Sequence, residues 1–180
     1  MALKPTIYKF RISLSDLNRD FYDNFSFTVA QHPSENNARM LARVIAYCLN
    51  SRHPLKFTKG LSTTDEPDIW AHSLDDQILV WIDVGEPDAE RVKKSSRKSE
   101  RVKIYSFNTK SELWWQQNRQ AISNYANVEV YQLEHSALQV IACSLTRGMD
   151  MSVMISDTSI FIDIDSGSFK LDWKRLSRDA

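Results

Sequence analysis

Apolar and polar residues alternate near the start of the chain. Tyr8, Phe10, Ile12 and Leu14 fall on one face of an extended segment, with Lys9, Arg11 and Ser13 on the other, and this period of two predicts a half-buried strand. Beyond the polar turn Ser15 to Asp20, the residues Phe25, Phe27 and Val29 repeat the pattern through Asn24 to Ala30, which predicts a hairpin or meander with the first strand. The period then changes. Leu41, Val44, Ile45 and Cys48 recur at helical spacing, with Ser34 as the expected N-cap and an end near Asn50, before His53-Pro54.

A short strand around Phe57 leads through Gly60 into the polar run Ser62 to Asp68. Two extended segments follow, Asp68 to His72 and Gln77 to Val84, separated by the turn-forming Leu74-Asp75-Asp76. The second, Ile78-Leu79-Val80-Trp81-Ile82, is apolar on both faces and is expected in the middle of a sheet. Helices are predicted over Pro87 to Ser99, Ser111 to Ala121 and Ser136 to Leu145, with strands at Val102 to Phe107 and Asn127 to Leu133. Three alternating runs close the chain: Met151, Val153 and Ile155; Ile160, Ile162 and Ile164; Phe169, Leu171 and Trp173. No linker interrupts this order, so a single domain over residues 1–180 is expected, an α/β core with β-hairpins added at both ends.

Composition narrows the class. Apolar residues at 42% and aromatic residues at 11% supply a core, which excludes global disorder. No apolar run approaches the roughly 20 residues of a membrane helix, and Met1 to Pro5 lacks the apolar stretch of a secretory signal, so a cytoplasmic protein without a membrane partner is expected. Cys48 and Cys143 both sit in helical apolar patterns and read as small buried hydrophobes. The four glycines are too scattered for a phosphate-cradling loop, and the four histidines never take zinc-ligand spacing.

With 23 basic and 23 acidic residues the chain is formally neutral, but its charges are ordered. Between Leu61 and Glu90 there is no Lys or Arg, while Asp65, Glu66, Asp68, Asp75, Asp76, Asp83, Glu86, Asp88 and Glu90 bring nine carboxylates. Then Arg91, Lys93, Lys94, Arg97, Lys98, Arg101 and Lys103 give seven cations against Glu100 alone. An acidic centre followed by a basic rim suits an enzyme that holds a divalent cation in carboxylates and a phosphodiester in Lys and Arg; the plainer alternative is a solvated helix face. Asp83 ends an otherwise apolar strand and must be ion-paired, hydrogen-bonded or metal-bound. If the two extended segments form a hairpin, Asp68 lies beside it, and the two carboxylates with the Val84 carbonyl could share Mg2+ or Mn2+. Arg91, Arg97, Lys98 and Arg101 would grip flanking phosphates. Gln116 and Gln117 could contact a nucleic-acid strand beside Trp114 and Trp115, although a tryptophan pair at helical spacing is more often core.

Pro67-Asp68 followed by Asp83-Val84-Gly85 resembles a variant of the PD-(D/E)xK nuclease motif. Over the whole chain, Met1-Ala2-Leu3-Lys4, His32-Pro33-Ser34-Glu35, Phe57-Thr58-Lys59-Gly60-Leu61, Asp65-Glu66-Pro67-Asp68, Trp81-Ile82-Asp83-Val84-Gly85 and Trp114-Trp115-Gln116-Gln117-Asn118 resemble the YaeQ family of bacterial proteins. The resemblance implies a PD-(D/E)xK nuclease-like mixed sheet flanked by helices, with added terminal hairpins. Taken with the nuclease-like motif and the order of charge, the expected activity is Mg2+-dependent phosphodiester hydrolysis of nucleic acid; the alternative is a non-catalytic module of the same fold that binds nucleic acid or a protein partner. It also adds Glu35 as a third metal carboxylate, whose plainer role is a favourable charge in the first turn of its helix. The sequence departs from the motif at Gly85, where the lysine that would orient the attacking water should stand; Lys93 or Lys94 of the next helix could replace it.

Overall fold

The structure, a computed structural model, describes residues 4–63 and 65–177; Met1 to Leu3 of the opening motif and Thr64 of the polar run lie outside them. In chain order the elements are β1 (Thr6–Asp16), β2 (Phe21–Gln31), α1 (Asn37–Asn50), β3 (Lys56–Phe57), β4 (Ile69–His72), β5 (Ile78–Val84) and α2 (Ala89–Lys98). Then come β6 (Ser99–Ser106), α3 (Ser111–Ile122), β7 (Val128–Leu133), α4 (His135–Ala142), β8 (Gly148–Ser156), β9 (Ser159–Ile164) and β10 (Gly167–Arg175). These make a mixed α/β protein, and among the described residues no helix is long and apolar enough to cross a membrane. The described residues group into two compact units, one drawn from 1–52 and 134–173 and one from 53–133 and the residues after 173.

In the first unit the strands run β2-β1-β8-β9-β10. β1 pairs antiparallel with β2 and parallel with β8, so the first alternating segment meets one more than a hundred residues away. Tyr8, Phe10, Ile12 and Leu14 are buried, as the alternation predicts. Phe25 and Phe27 of β2 pack on Tyr47 of α1, at ring separations of 5.6 and 4.7 Å. The helix starts two residues later than expected: Asn36, not Ser34, is the N-cap, its side chain accepting the Arg39 N–H at 2.8 Å. The Ser34 hydroxyl is engaged with His32 Nδ1 at 2.6 Å instead. Glu35 therefore precedes the helix, and the dipole role expected for it in a first turn does not apply. Cys48 is buried, but Cys143 is exposed, because α4 ends at Ala142 and leaves it as the C-cap beyond the apolar face.

In the second unit the order is β7-β6-β5-β4-β3. β5 lies inside it as expected, antiparallel to β4 and parallel to β6, with β6 parallel to β7. Parallel neighbours need crossover connections, and α2 and α3 provide them. One face of the sheet packs with these helices through Trp81, Val92, Val102, Ile104, Ile122, Val128 and Val130. Side chains alternate along a strand, so Asp83 shares the helix side of β5 with Trp81.

Candidate functional site

The β4–β5 hairpin forms in the register that the two motif carboxylates require. Ile69 pairs with Ile82, and the Asp68 N–H donates to the Ile82 carbonyl at 3.0 Å. Asp68 thus lies across from the end of β5, where Asp83 stands, and both are buried, at 4% and 3% exposure. Thr58 fixes the entry to β4, its N–H on the Asp68 carbonyl at 3.1 Å and its hydroxyl on the Pro67 carbonyl.

What meets the Asp83 carboxylate is a guanidinium. Arg91 Nη2 lies 2.7 Å from Oδ1 and Nε 3.0 Å from Oδ2, a two-pronged pair, and Trp81 Nε1 adds a third donor to Oδ2 at 3.0 Å. Arg91 also donates to the Glu66 carbonyl at 2.9 Å and stands 5.9 Å from the centroid of the Trp81 ring. It is aimed there by helix initiation: Asp88 is the N-cap of α2 and accepts the Arg91 N–H at 2.7 Å. Burial pushes the Asp83 carboxyl above the ordinary aspartate range, with Arg91 and Trp81 pulling against that shift and Asp68 reinforcing it. For Arg91, burial opposes the charge, but the bonds and field of Asp83, with Asp68 and Asp88, outweigh it and raise its pKa.

Asp68 Oδ2 accepts the Val84 N–H at 2.8 Å, so Val84 enters this site as a donor to a carboxylate. Glu35 belongs to a different cluster, in the first unit: Arg39 at 2.7 Å, Arg43 at 3.0 Å and the His32 N–H at 3.3 Å surround it. Among the described residues no three His, Cys, Asp or Glu side chains are grouped to hold a metal ion. With both Asp83 oxygens on Arg91, Asp68, Asp83 and Val84 do not fit a resident divalent cation; the positive charge there is a side chain of the protein itself.

Position 85 cannot take the motif lysine cheaply. Gly85 has φ +123°, a region that side-chain-bearing residues rarely adopt, and its N–H closes the strand end on the Tyr105 carbonyl at 2.9 Å. The two replacement candidates diverge. Lys93 Nζ lies 3.8 Å from Glu90, whereas Lys94 lines a cleft of about 230 Å³ with Arg91, Lys98, Trp81, Asp65, Asp88 and Glu90. Arg91, Lys94 and Lys98 follow at three and four residues and so share a helix face. Lys98 also borders an open hollow of about 500 Å³ with Arg97 and Glu100. Arg97 and Arg101 are exposed, as are Gln116 and Gln117 on α3. Trp114 and Trp115 pack against the sheet core, and Trp114 Nε1 donates to the Pro87 carbonyl at 2.9 Å.

Sequence reasoning missed the Asp83–Arg91 pair by assigning Arg91 to phosphate. The signal was present: Trp81 and Asp83 are two apart on a strand, and Arg91 sits in the first turn of the helix that crosses over that face.

Comparison with known proteins gives one consistent answer. The YaeQ protein family matches residues 1–173. A protein of Escherichia coli (strain K12) described as uncharacterized protein YaeQ is 34% identical over 181 residues, covering 98% of this chain and 100% of that one. The crystal structure of the YaeQ protein from Xanthomonas axonopodis pv. citri superposes with a TM-score of 0.93 at 33% identity, over 96% of this chain and 98% of that one. That from Pseudomonas syringae gives 0.92 at 37% identity, over 97% of each.

Proposed function

The chain belongs to the YaeQ family, and for it we propose a role as a nuclease-like module that binds the phosphodiester backbone of nucleic acid without cleaving it. The hairpin carboxylates Asp68 and Asp83 and the crossover helix behind them support kinship with PD-(D/E)xK proteins. In that kinship Arg91 takes the place of the catalytic cation, and Gly85 the place of the lysine. The observation that carries binding is the state of the basic stretch. Lys94, Arg97, Lys98 and Arg101 are all exposed, and none makes an ion pair with the acidic segment that precedes them. Lys98 borders both hollows, which gives a polyanion a track along α2.

Fluorescence anisotropy with single- and double-stranded oligonucleotides over a salt series tests this. Each phosphate contact steepens the salt dependence by about 0.9 in the logarithmic slope, so replacing Arg97, Lys98 and Arg101 with Gln should flatten it by about 3 units and weaken binding equally across sequences. Absence of binding by the wild type at low salt would overturn the proposal. So would cleavage by the wild type in Mg2+ or Mn2+ that Asp83→Asn abolishes, because an Arg91-filled site should give none.

A further inference from the structure

The first unit ends in a strand edge of unusual length and composition. β2 pairs with β1 through eleven consecutive positions without a bulge, and it is the terminal strand of its sheet. Strands of 5–6 residues are typical; at about 3.4 Å per residue this edge runs for roughly 37 Å. Exposed edges are normally blunted by lysine, proline, bulges or short length. Phe21–Gln31 has none of these: its sequence, FYDNFSFTVAQ, carries a single charge, Asp23.

The apolar side of the same edge is incompletely covered. Phe21, Phe25 and Phe27 are only half-buried, as is Tyr47 of α1 beneath them. Phe25 stacks on Phe27 at 6.4 Å, so the aromatic layer of the unit continues to the last strand instead of stopping short of it. On the outer side Tyr22 is 59% exposed. A neighbouring strand would pair the edge and cover this rim together.

We propose that β2 pairs antiparallel with β2 of a second copy of the chain, about a two-fold axis through Ser26. A parallel in-register pairing would set Asp23 against Asp23, which is unfavourable. The antiparallel register centred on Ser26 sets Asp23 opposite Val29, Asn24 opposite Thr28, and Phe25 opposite Phe27, so that the two central phenylalanines face each other across the seam and no like charges meet. Such an arrangement is isologous and closes as a dimer. Eleven residues of ladder supply roughly ten hydrogen bonds, the number typical of a whole protein–protein interface. Near the end of the edge Arg43 Nη1 donates to the Ala30 carbonyl at 3.3 Å.

Sedimentation equilibrium over a concentration series, with Ser26→Glu as the perturbation, tests the proposal. In the isolated chain position 26 faces Arg11 across β1, so a carboxylate there suits the monomer, but on the two-fold axis it opposes its own copy. The wild type should weigh twice 20.8 kDa, and Ser26→Glu should be monomeric with an unchanged circular dichroism spectrum. Mixing Ser26→Glu with Ser26→Lys should restore the dimer. Ser26→Cys in a Cys143→Ser background should cross-link on oxidation, because paired Cβ atoms on the axis lie about 4.5–5.5 Å apart, while Asn24→Cys should not. A wild type monomeric at every concentration overturns the proposal, as does a dimer that Ser26→Glu leaves intact, or cross-linking at 24 in place of 26. None of these readouts depends on nucleic acid.

Discussion

Arg91→Met should destabilise the protein by about 3 kcal/mol. The substitution keeps the length of the side chain and removes its charge, leaving Asp83 with a carboxylate whose side chain is 5% exposed and only the Trp81 N–H to answer it. Breaking a fully buried pair from one side costs about 3–5 kcal/mol; the Arg91 side chain is 28% exposed, so water recovers part of this and the lower end applies. For a chain of this size each kcal/mol moves Tm by about 2–4 °C, and thermal melting should therefore fall by about 6–12 °C. The loss should depend on pH. Burial already raises the Asp83 pKa, and without Arg91 it rises further. A carboxyl with a folded pKa above its unfolded value holds a proton that the unfolded chain has released. Its contribution to stability is complete below the unfolded pKa and is lost as pH rises through the folded pKa. The deficit of Arg91→Met should accordingly shrink on acidification. Adding Asp83→Asn should recover most of it, since the buried charge is then gone. Denaturant melts of the four members of the cycle measure the coupling directly. A coupling near zero, or a deficit independent of pH, would refute the claim that Arg91 neutralises Asp83.

Glu35→Gln should cost about 3 kcal/mol by leaving Arg43, 2% exposed, without its counter-charge, and should leave oligonucleotide affinity unchanged; a loss of affinity at full stability would reassign Glu35 to binding. Gly85→Ala should lower stability by about 1–3 kcal/mol through backbone strain, and a neutral result in a denaturant melt would show that the strand end relaxes. A thiol reagent should label one cysteine per folded chain, Cys143. Burial pushes the Cys48 thiol up to about 12 and keeps it unreactive until the protein unfolds, so labelling of Cys48 in native buffer would contradict the packing of α1.

Most of the fold was legible because its elements are strongly periodic. The alternation in Tyr8 to Leu14 and the doubly apolar Ile78 to Ile82 each allow one placement, half-buried in the former and central in the latter. Element ends were less legible. Ser34 and Asn36 both have N-cap chemistry, and only the local bond between Ser34 and His32 decides between them. Cys143 failed for a related reason: the apolar pattern runs past the point where α4 stops. The carboxylates of the candidate site could be found because a charge ending an apolar strand demands a partner. The identity of that partner could not be read from spacing, since a cation and a guanidinium satisfy the same demand and only the N-cap at Asp88 aims Arg91 at the strand.

The parallel pairing of β1 with β8 has a consequence for synthesis. The first unit is built from both ends of the chain, while most of the second is the single stretch 53–133 between them. On the ribosome β1, β2 and α1 emerge first, yet the strand that completes their sheet begins only at Gly148. At about 5–20 residues per second that leaves them waiting for roughly 5–25 s, with the β1 edge later filled by β8 open to solvent. Because most of the second unit's core lies within 53–133, the expected order of folding is from the middle of the chain outwards, with the N-terminal hairpin the last part of the early-synthesised chain to be protected. Nascent chains arrested before Gly148 should yield a protease-resistant middle and a cleavable N-terminus; equal protection of both would show that the hairpin and helix hold without their partner.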